Sequence, residues 1–153
     1  MNHKDNWDSH WLAHAESASH NPAQSYRFGL IQSELKACDS NKKVDCVVDL
    51  GCGNGDLLKK LSESFSHIEL IGVEPSSTGF NISKAKNKHS LIIKSDITLD
   101  RLSDRALERA DVVVCTEVLE HLDNPNELLL ALSSAVRKGT RLLVTVPGGP
   151  RST

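Results

Sequence analysis

The chain has 153 residues, of which 39% are apolar and 25% are charged, and its formal net charge at pH 7 is −2. This composition is typical of one globular domain and argues against overall disorder. The near balance of charge excludes a generic affinity for nucleic acid or membrane surfaces. No apolar run reaches the length of a membrane span. The polar first twenty residues lack the apolar stretch of a signal peptide, so we expect a cytoplasmic protein.

The four cysteines do not show the C-x-x-C spacing of a zinc cluster, so no metal centre of that kind is expected. Two of them, Cys46 and Cys115, fall inside apolar stretches that are predicted to be buried strands. A free thiol in such a strand behaves as a small apolar side chain. The chain shows no internal repeat and no low-complexity segment.

The first predicted helix is a short amphipathic segment that begins at Trp7. Its spacing places Trp7, Trp11, Leu12 and His14 roughly on one face. Because an isolated helix this short is marginal in water, we expect it to pack on the rest of the chain. These side chains could serve as aromatic anchors or as a lid over a ligand, and the sequence leaves both roles open.

A second helix is predicted from Pro22 to about Ala37. Asn21 has the residue type of an N-cap, and proline suits the first helical position. A polar loop follows and leads to the first strand. We therefore expect residues 1–40 to form an N-terminal helical cap on an α/β domain of residues 41–153.

An apolar run over residues 44–50 leads into three glycines at alternate positions and then into a helical pattern of leucines. The glycines are Gly51, Gly53 and Gly55. This pattern predicts a strand, a tight turn and a helix. Glycine tolerates positive φ and lets a ligand approach the backbone closely. The N-terminus of the following helix offers free N–H groups and a partial positive charge.

The spacing of these glycines narrows the class of ligand. Dinucleotide-binding turns use G-x-G-x-x-G, whereas this turn is G-x-G-x-G with Asp56 at the position of the third fingerprint glycine. A carboxylate there would face a pyrophosphate, which is unfavourable. No Gly-Lys-Ser/Thr follows, so a phosphate-binding P-loop is excluded. The turn is therefore predicted to hold a different ligand at the carboxyl end of a strand.

Five strand patterns alternate with helical patterns along the chain, the last four being the runs 68–74, 91–93, 110–116 and 141–146. Such alternation predicts a parallel sheet with right-handed crossovers, in a doubly wound, Rossmann-like α/β fold. The expected strand order is 3-2-1-4-5. This order places a ligand crevice beyond the carboxyl ends of strands 1 and 4.

Capping residues mark two of the connecting helices. Ser77 is predicted to cap the helix that follows the second strand. Asn124 and Glu127 have the pattern of a capping box, and the helix that they open is predicted to end at Gly139. Residues 99–110 carry alternating charges, which predicts a short exposed helix or loop. A turn is predicted at 147–150.

Acidic residues stand at or near the carboxyl ends of the predicted strands, namely Asp49, Glu74, Asp96, and Glu117 after Thr116. Each carboxylate alone is weak evidence, because strand ends often carry solvated charges. A carboxylate at the end of the second strand can accept two hydrogen bonds from a ribose diol. One at the end of the third strand, with the N–H of Ile97, can pair with adenine. Their convergence on one crevice favours a nucleoside-containing ligand.

The stretch 47–55 consists of two hydrophobic residues followed by Asp-Leu-Gly-Cys-Gly-Asn-Gly. It resembles motif I of the class I S-adenosylmethionine-dependent methyltransferases. The segment 117–122, Glu-Val-Leu-Glu-His-Leu, is similar to the segment after the fourth strand in small-molecule methyltransferases of types 11 and 12. The resemblance spans about residues 22–147. It implies S-adenosylmethionine as cofactor and methyl transfer to a small molecule at an O or N atom.

The same resemblance implies which residues hold the cofactor. Asp49 and the glycine turn would hold its methionine part, and Glu74 would bind the ribose hydroxyls. Asp96 and Ile97 would contact adenine, and the backbone near Thr116 would complete the amino-acid site. The full expected set is Asp49, Gly51, Cys52, Gly53, Gly55, Glu74, Pro75, Asp96, Ile97, Thr116 and Glu117.

Methyl transfer asks little chemistry of the protein, because the sulfonium is already an activated donor. An oxygen acceptor also needs a base or a metal, and the candidates are Glu117, Glu120 and His121. On a helix, Glu117 would share a face with Glu120 or with His121. This Glu-x-x-Glu-His set resembles the metal-binding segment of RNA 3′-terminal and ubiquinone-pathway O-methyltransferases. A further distant histidine of the RNA enzymes is not evident after His121, so no metal ligand set is expected.

Three functions follow from these patterns. The first is a small-molecule methyltransferase. The second is a non-catalytic cofactor-binding or interaction fragment, because the family sheet usually continues into an antiparallel hairpin beside strand five, whereas this sequence stops just after that strand. The third is a metal-dependent RNA 3′-end methyltransferase, which the near-neutral charge disfavours. An uncovered fifth strand invites pairing, so a homodimer through this edge is expected.

Overall fold

The fold is a five-stranded parallel β-sheet with helices on its faces, in a computed structural model that describes residues 6–97 and 104–148. The strands are β1 (Cys46–Leu50), β2 (Glu69–Glu74), β3 (Leu91–Lys94), β4 (Val112–Thr116) and β5 (Arg141–Thr145). The helices are α1 (Trp7–Ser19), α2 (Pro22–Asn41), α3 (Asp56–Ser64), α4 (Ser77–Lys86), α5 (Asp104–Arg109) and α6 (Pro125–Ala135). The strand order β3-β2-β1-β4-β5 confirms the predicted doubly wound topology.

Apolar clusters cover both faces of the sheet. One cluster joins α2 and α3 to the sheet and includes Leu35, Leu58 and Leu61. The other joins α5 and α6 to the opposite face and includes Leu107 and Leu128. All five residues of β1 are buried. A central parallel strand covered on both faces favours a nearly continuous apolar run, which Asp49 alone interrupts in β1.

The register of the strands brings the predicted acidic tips to one edge of the sheet. Asp49 of β1 lies opposite Gly72 of β2 and Val114 of β4. A Cβ on Gly72 would lie 2.6 Å from Leu58 Cδ1 and 2.8 Å from Cys52 Sγ, so glycine is needed where the turn packs on β2. Because all strands are parallel, their carboxyl ends point to the same side.

Two helices differ from prediction at one end. α2 continues one turn further than predicted, to Asn41, because Cys38 faces the core and is buried. The N-cap of α4 is Ser76 rather than Ser77. The Ser76 hydroxyl accepts a hydrogen bond from the N–H of Gly79 at 3.1 Å. The predicted cap was therefore wrong by one residue.

The start and end of α6 also differ from prediction. The capping box does not form, because the side chain of Asn124 donates to Glu127 Oε1 at 2.8 Å instead of capping a backbone N–H. The helix ends at Ala135 rather than at Gly139. Gly139, with a φ of +94°, lies in the turn that leads into β5.

Parts of two predicted segments lie outside the described residues, namely 99–103 of the charged segment and 149–150 of the last turn. The described part of the charged segment forms α5. It is short, as predicted, but Ala106 and Leu107 are buried against the sheet, so the predicted exposure was wrong for these two residues. The side chains of Arg105, Glu108 and Arg109 on the same helix are exposed.

The outer edge of the sheet is formed by β5, which pairs with β4 on one side. Leu142, Val144 and Val146 are exposed along this edge. The expected homodimer through β5 stays a prediction. Within the described ranges, no helix combines the length and the apolar character needed to cross a membrane.

Candidate functional site

A cavity of about 930 Å³ opens beyond the carboxyl ends of β1, β2 and β4. Its size is at the upper end of the range for small-molecule and cofactor sites. Its walls come from α1, α2, the glycine turn, the strand tips and a 3-10 turn at Leu119–His121. The predicted site residues that line it are Asp49, Gly51, Cys52, Gly53, Glu74, Pro75, Ile97, Thr116, Glu117, Glu120 and His121.

Two predicted site residues, Gly55 and Asp96, are not among the residues that line the cavity. Gly55 has a φ of +77°, and a Cβ there would collide with Asn87 and Ser83 of α4. Glycine is therefore required at this position for the packing of α3 on α4. Asp96 lies half-buried just beyond β3. Its contact with adenine stays a prediction.

The glycine turn is fixed by backbone hydrogen bonds and by close packing. The N–H groups of Gly51 and the next residue both donate to the carbonyl of Val73, at 2.8 and 3.0 Å. Gly51 has a φ of +73°, and a Cβ there would lie 2.6 Å from Val118 Cγ2. Gly53 has a φ of +54°, and a Cβ there would collide with the indole of Trp11. The turn thus tolerates no side chain at either position.

Glu74 ties the glycine turn to α4, a role that the sequence did not predict. Its Oε2 accepts from the N–H of Gly53 at 2.9 Å. Its Oε1 accepts from the N–H of Ser76 at 3.0 Å and from the Ser76 hydroxyl at 2.6 Å. Burial raises the pKa of Glu74, although these hydrogen bonds oppose the shift. A carboxylate accepts about four hydrogen bonds, so a ribose would share Glu74 with the protein's own donors.

Asp49 is buried like Glu74, but it differs from Glu74 in its hydrogen bonding. It is 1% exposed, and its Oδ1 has no hydrogen-bond partner within the described part of the chain. Burial raises the pKa of this carboxyl to about 8, and the nearby carboxylate of Glu74 adds to the shift. Buried polar atoms in native proteins are nearly always paired. The unpaired oxygen therefore points to a donor that arrives with a ligand.

A buried side-chain atom without a hydrogen-bond partner also occurs at two other residues of the cavity wall. Over residues 6–97 and 104–148, three buried side-chain N or O atoms lack a hydrogen-bond partner: Trp7 Nε1, Arg27 Nε and Asp49 Oδ1. All three residues line this cavity. Leaving a buried donor or acceptor unpaired costs about 1–3 kcal/mol. This concentration of two donors and one acceptor marks the cavity as a site for a polar ligand.

Acidic side chains outnumber cationic ones along the cavity wall. Its described lining includes the carboxylates of Asp49, Glu74, Glu117 and Glu120, whereas Arg27 is the sole arginine or lysine in that part of the wall. Arg27 Nε lies 3.7 Å from Glu117 Oε1, beyond hydrogen-bond distance. Four carboxyl side chains and one guanidinium suit a ligand that carries cationic groups and one anionic group. Sequence analysis missed Arg27, because it lies on α2, away from the glycine turn in the sequence.

Glu117, Glu120 and His121, which were predicted to assist an oxygen acceptor, lie together in the structure. They do not lie on the face of one helix. Glu117 adopts a φ of +52°, and the helical part is limited to the 3-10 turn Leu119–His121, which holds Glu120 and His121. Thr145 of β5 supports the strained residue, since its Oγ1 donates to Glu117 Oε1 at 3.1 Å and its carbonyl accepts from the Glu117 N–H at 3.0 Å. Backbone strain held in this way clusters at functional sites.

α1 forms the remaining wall of the cavity. Trp7, Trp11 and His14 line it, whereas Leu12 is exposed to solvent, so the predicted face was wrong for Leu12. The Trp7 ring meets the imidazole of His121 edge to face, with 4.7 Å between the ring centroids. The helix therefore packs on the domain and also encloses the cavity. Both roles left open by the sequence are compatible with this position.

Side-chain hydrogen bonds hold α1 at its two ends. Asp8 Oδ1 accepts from the N–H of Thr78, in the first turn of α4, at 2.7 Å. At the other end, the Ser19 hydroxyl donates to Asp56 Oδ2 at 2.6 Å, and Asn54 donates to Ser19 Oγ at 3.3 Å. None of the residues of α1 is buried. The helix is thus attached by exposed hydrogen bonds at Asp8 and Ser19, by a partly buried one from Asn54, and by the two tryptophans.

His121 Nε2 lies 3.9 Å from Glu120 Oε1. Across the described residues, no group of three or more His, Cys, Asp or Glu side chains is arranged to hold a metal ion. Whether the protein uses a metal therefore remains a matter of prediction. The geometry itself offers an imidazole next to a carboxylate at the cavity wall.

Comparisons with known proteins give the class of the chain. A family model described as a methyltransferase domain matches residues 23–152. The ubiquinone biosynthesis O-methyltransferase of Aeromonas salmonicida (strain A449) is 26% identical over 107 residues, which are 69% of this chain and 45% of that protein. The chain thus spans about half the length of the curated relatives that it matches.

Solved structures show the same fold. The plantazolicin methyltransferase BpumL, crystallised with a desmethyl plantazolicin analogue and S-adenosylhomocysteine (SAH), is similar with a TM-score of 0.71, at 21% identity over 86% of this chain and 51% of that one. CalS10, an amino pentose methyltransferase from Micromonospora echinaspora with S-adenosylmethionine bound, has a TM-score of 0.72, at 15% identity over 91% of this chain and 57% of that one. At these identities the likeness establishes the fold.

Proposed function

Because this chain belongs to the methyltransferase domain family, we propose that it binds S-adenosylmethionine in the cavity and transfers its methyl group to an oxygen of a small molecule. The observation that carries this proposal is the set of three unpartnered buried atoms in the cavity wall. The cofactor offers complementary groups, since it carries an ammonium, a carboxylate and a sulfonium. When bound, it supplies the activated methyl group.

The amino-acid part of the cofactor fits two of the atoms that lack a hydrogen-bond partner, Asp49 Oδ1 and Arg27 Nε. Asp49 would accept from the ammonium, and Arg27 would donate to the carboxylate, both as charge-assisted hydrogen bonds. Glu74 would bind the ribose with its remaining acceptor capacity. Asp96 and Ile97 would contact adenine. Support for this orientation comes from the positions of the first three residues in the cavity wall.

Oxygen is the favoured acceptor atom because the curated relative from Aeromonas salmonicida is named an O-methyltransferase. A hydroxyl acceptor loses a proton during transfer, and His121 is placed to receive it at a ring nitrogen. Glu120, at 3.9 Å from His121 Nε2, would stabilise the resulting imidazolium. The rings of Trp7 and Trp11 line the same cavity, so a flat aromatic hydroxyl compound suits its walls.

The test combines binding with turnover. Calorimetry with SAH measures cofactor binding, and methyl-labelled S-adenosylmethionine measures transfer to a panel of hydroxylated aromatics and their amine analogues. We expect SAH binding and O-methylated products. His121→Asn should lower kcat by about 10²–10⁴ with unchanged SAH affinity, whereas His89→Asn, at an exposed loop position, should behave as wild type. Products on amines alone, or equal activity of both variants, would contradict the assignment.

One alternative shares the cavity but not the transfer step. A cofactor-binding module that does not itself transfer methyl groups would use the same glycine turn and strand tips. SAH binding without turnover across the whole panel would support this alternative. Methylation of an RNA 3′ end that depends on a divalent metal, and that is lost in both Glu120→Ala and His121→Ala, would instead support an RNA 3′-end methyltransferase.

A further inference from the structure

Among residues 6–97 and 104–148, no cation is placed next to Asp49 to balance its charge. From β2 it is faced by the carboxylate of Glu74, from the glycine turn by the thiol of Cys52, and from β4 by the thiol of Cys115. The remaining titratable and charged groups of the cavity wall are His10, His14, Arg27, Glu117, Glu120 and His121. Arg27, the cation among them, lies next to Glu117.

Burial then decides the protonation state of Asp49. An isolated ionised carboxylate without a partner is so costly in a protein interior that the group takes up a proton instead. A second carboxylate nearby strengthens the effect, and Glu74 supplies it. The pKa of Asp49, raised to about 8 by burial and by Glu74, agrees with this reasoning. Burial also raises the pKa values of Cys52 and Cys115, so both thiols stay neutral.

We propose that Asp49 is protonated in the cofactor-free protein and that binding of the cofactor's ammonium group expels this proton into solvent. The O–H bond of the Asp49 carboxyl breaks, its proton goes to water, and the resulting carboxylate pairs with the ammonium. No bond within the ligand changes. The inference rests on the proposed function, in which Asp49 binds the cofactor's amino group. Cofactor binding is therefore coupled to the release of one proton.

The coupling has a defined sign. A bound ammonium lowers the pKa of Asp49 below its value in the free protein, so affinity rises with pH through the range between the two values. For one released proton the rise is about tenfold per pH unit. The measurement belongs at pH 6 to 7, because α-amino groups themselves titrate at about 7.7–8.0. A ligand without an amino group should show no such coupling.

Calorimetry in buffers of different ionisation enthalpy counts the protons directly. We expect SAH to release about one proton per molecule bound at pH 6.5, and to bind about tenfold more tightly at pH 7 than at pH 6. 5′-Methylthioadenosine, which lacks the amino acid, should bind without release. Asp49→Asn keeps the size of the side chain and should abolish the release. In the wild type, the infrared band of a protonated carboxylic acid should disappear when SAH is added.

The outcomes separate this inference from the proposed function. Tight SAH binding without proton release, or without loss of the infrared band, would overturn the inference and leave the cofactor site intact. Undiminished release in a folded Asp49→Asn variant would also overturn it, because the proton would come from another group. Absence of any SAH binding would defeat both. If the variant does not fold, the comparison of SAH with 5′-methylthioadenosine on the wild type gives the decision.

Discussion

The two walls of the cavity are built in different ways. The sheet side consists of strand tips and a turn whose backbone is hydrogen-bonded to β2 and packed against buried leucines. The α1 side has no buried residue and is attached by exposed hydrogen bonds at Asp8 and Ser19 and by the rings of Trp7 and Trp11. The sheet side of the cavity is therefore part of the hydrophobic core, whereas α1 packs on the surface of that core.

This difference has a functional meaning. Elements with few buried contacts open at low free-energy cost, and binding-site lids come from such elements. Trp11 lies directly over Gly53, next to the region where the cofactor is proposed to bind. We expect α1 to move during cofactor entry while the sheet side remains fixed. The following predictions test this division, beginning with the largest effect.

Loss of a core leucine should affect the whole fold. Leu58 is fully buried between α3 and the sheet, so Leu58→Ala should lower the free energy of unfolding by about 2–5 kcal/mol. Leu12→Ala is the matched control on α1, where the side chain is 82% exposed. It should change stability by less than about 0.5 kcal/mol. Urea denaturation measures both, and similar losses would show that α1 belongs to the core.

Asp49→Asn should stabilise the cofactor-free protein, and more so at higher pH. The pKa of Asp49 in the folded state, about 8, lies above its ordinary value of 3.8. The native state of the wild type therefore loses stability as pH rises from about 4 to about 8, at up to about 1.4 kcal/mol per pH unit. Asparagine does not ionise. In thermal unfolding, the difference in Tm between Asp49→Asn and the wild type should widen from pH 6 to pH 8. A constant difference in Tm would contradict the raised pKa of Asp49.

Removal of Trp11 should loosen α1 and spare the core. Trp11→Ala should leave the urea midpoint nearly unchanged but raise the rate of proteolytic cleavage within α1. It should weaken SAH binding by roughly three- to tenfold, corresponding to an aromatic contact of about 0.5–1.5 kcal/mol. Leu12→Ala again serves as the control, because that side chain points to solvent. An unchanged cleavage rate in Trp11→Ala would show that the hydrogen bonds alone hold the helix.

The smallest effect is expected for a substitution at the N-terminal end of α1. Hydrogen bonding from the Thr78 N–H lowers the pKa of Asp8, so this contact is present above about pH 4 and is lost as pH falls through that lowered value. Asp8→Asn should raise amide hydrogen exchange within α1 roughly two- to fivefold at neutral pH, because the charge at the α4 N-terminus is lost. Glu16→Gln, an exposed acid on the same helix, should have no effect.

Much of the fold could be predicted from the sequence, because its signals are local. Five apolar runs, alternating with helical patterns, were enough for a parallel sheet with the correct strand order. The alternate glycines were enough for the turn after β1, since each needs a positive φ. Helix ends were less predictable. The end of α2 depends on the burial of Cys38, which the residues around it do not reveal.

By itself, the sequence determined the order of the strands, the glycine turn and the acidic residues at the strand tips, because each of these follows from residue types within a few positions of one another. The tertiary structure alone decided that Glu74 accepts hydrogen bonds from Gly53 and Ser76, and that Asp49 Oδ1 has no hydrogen-bond partner within the described residues. It also brought Arg27 and the tryptophans of α1 to the cavity. Apart from the Glu74–Ser76 contact, these facts depend on residues more than twenty positions apart, which meet because the chain packs both faces of one sheet.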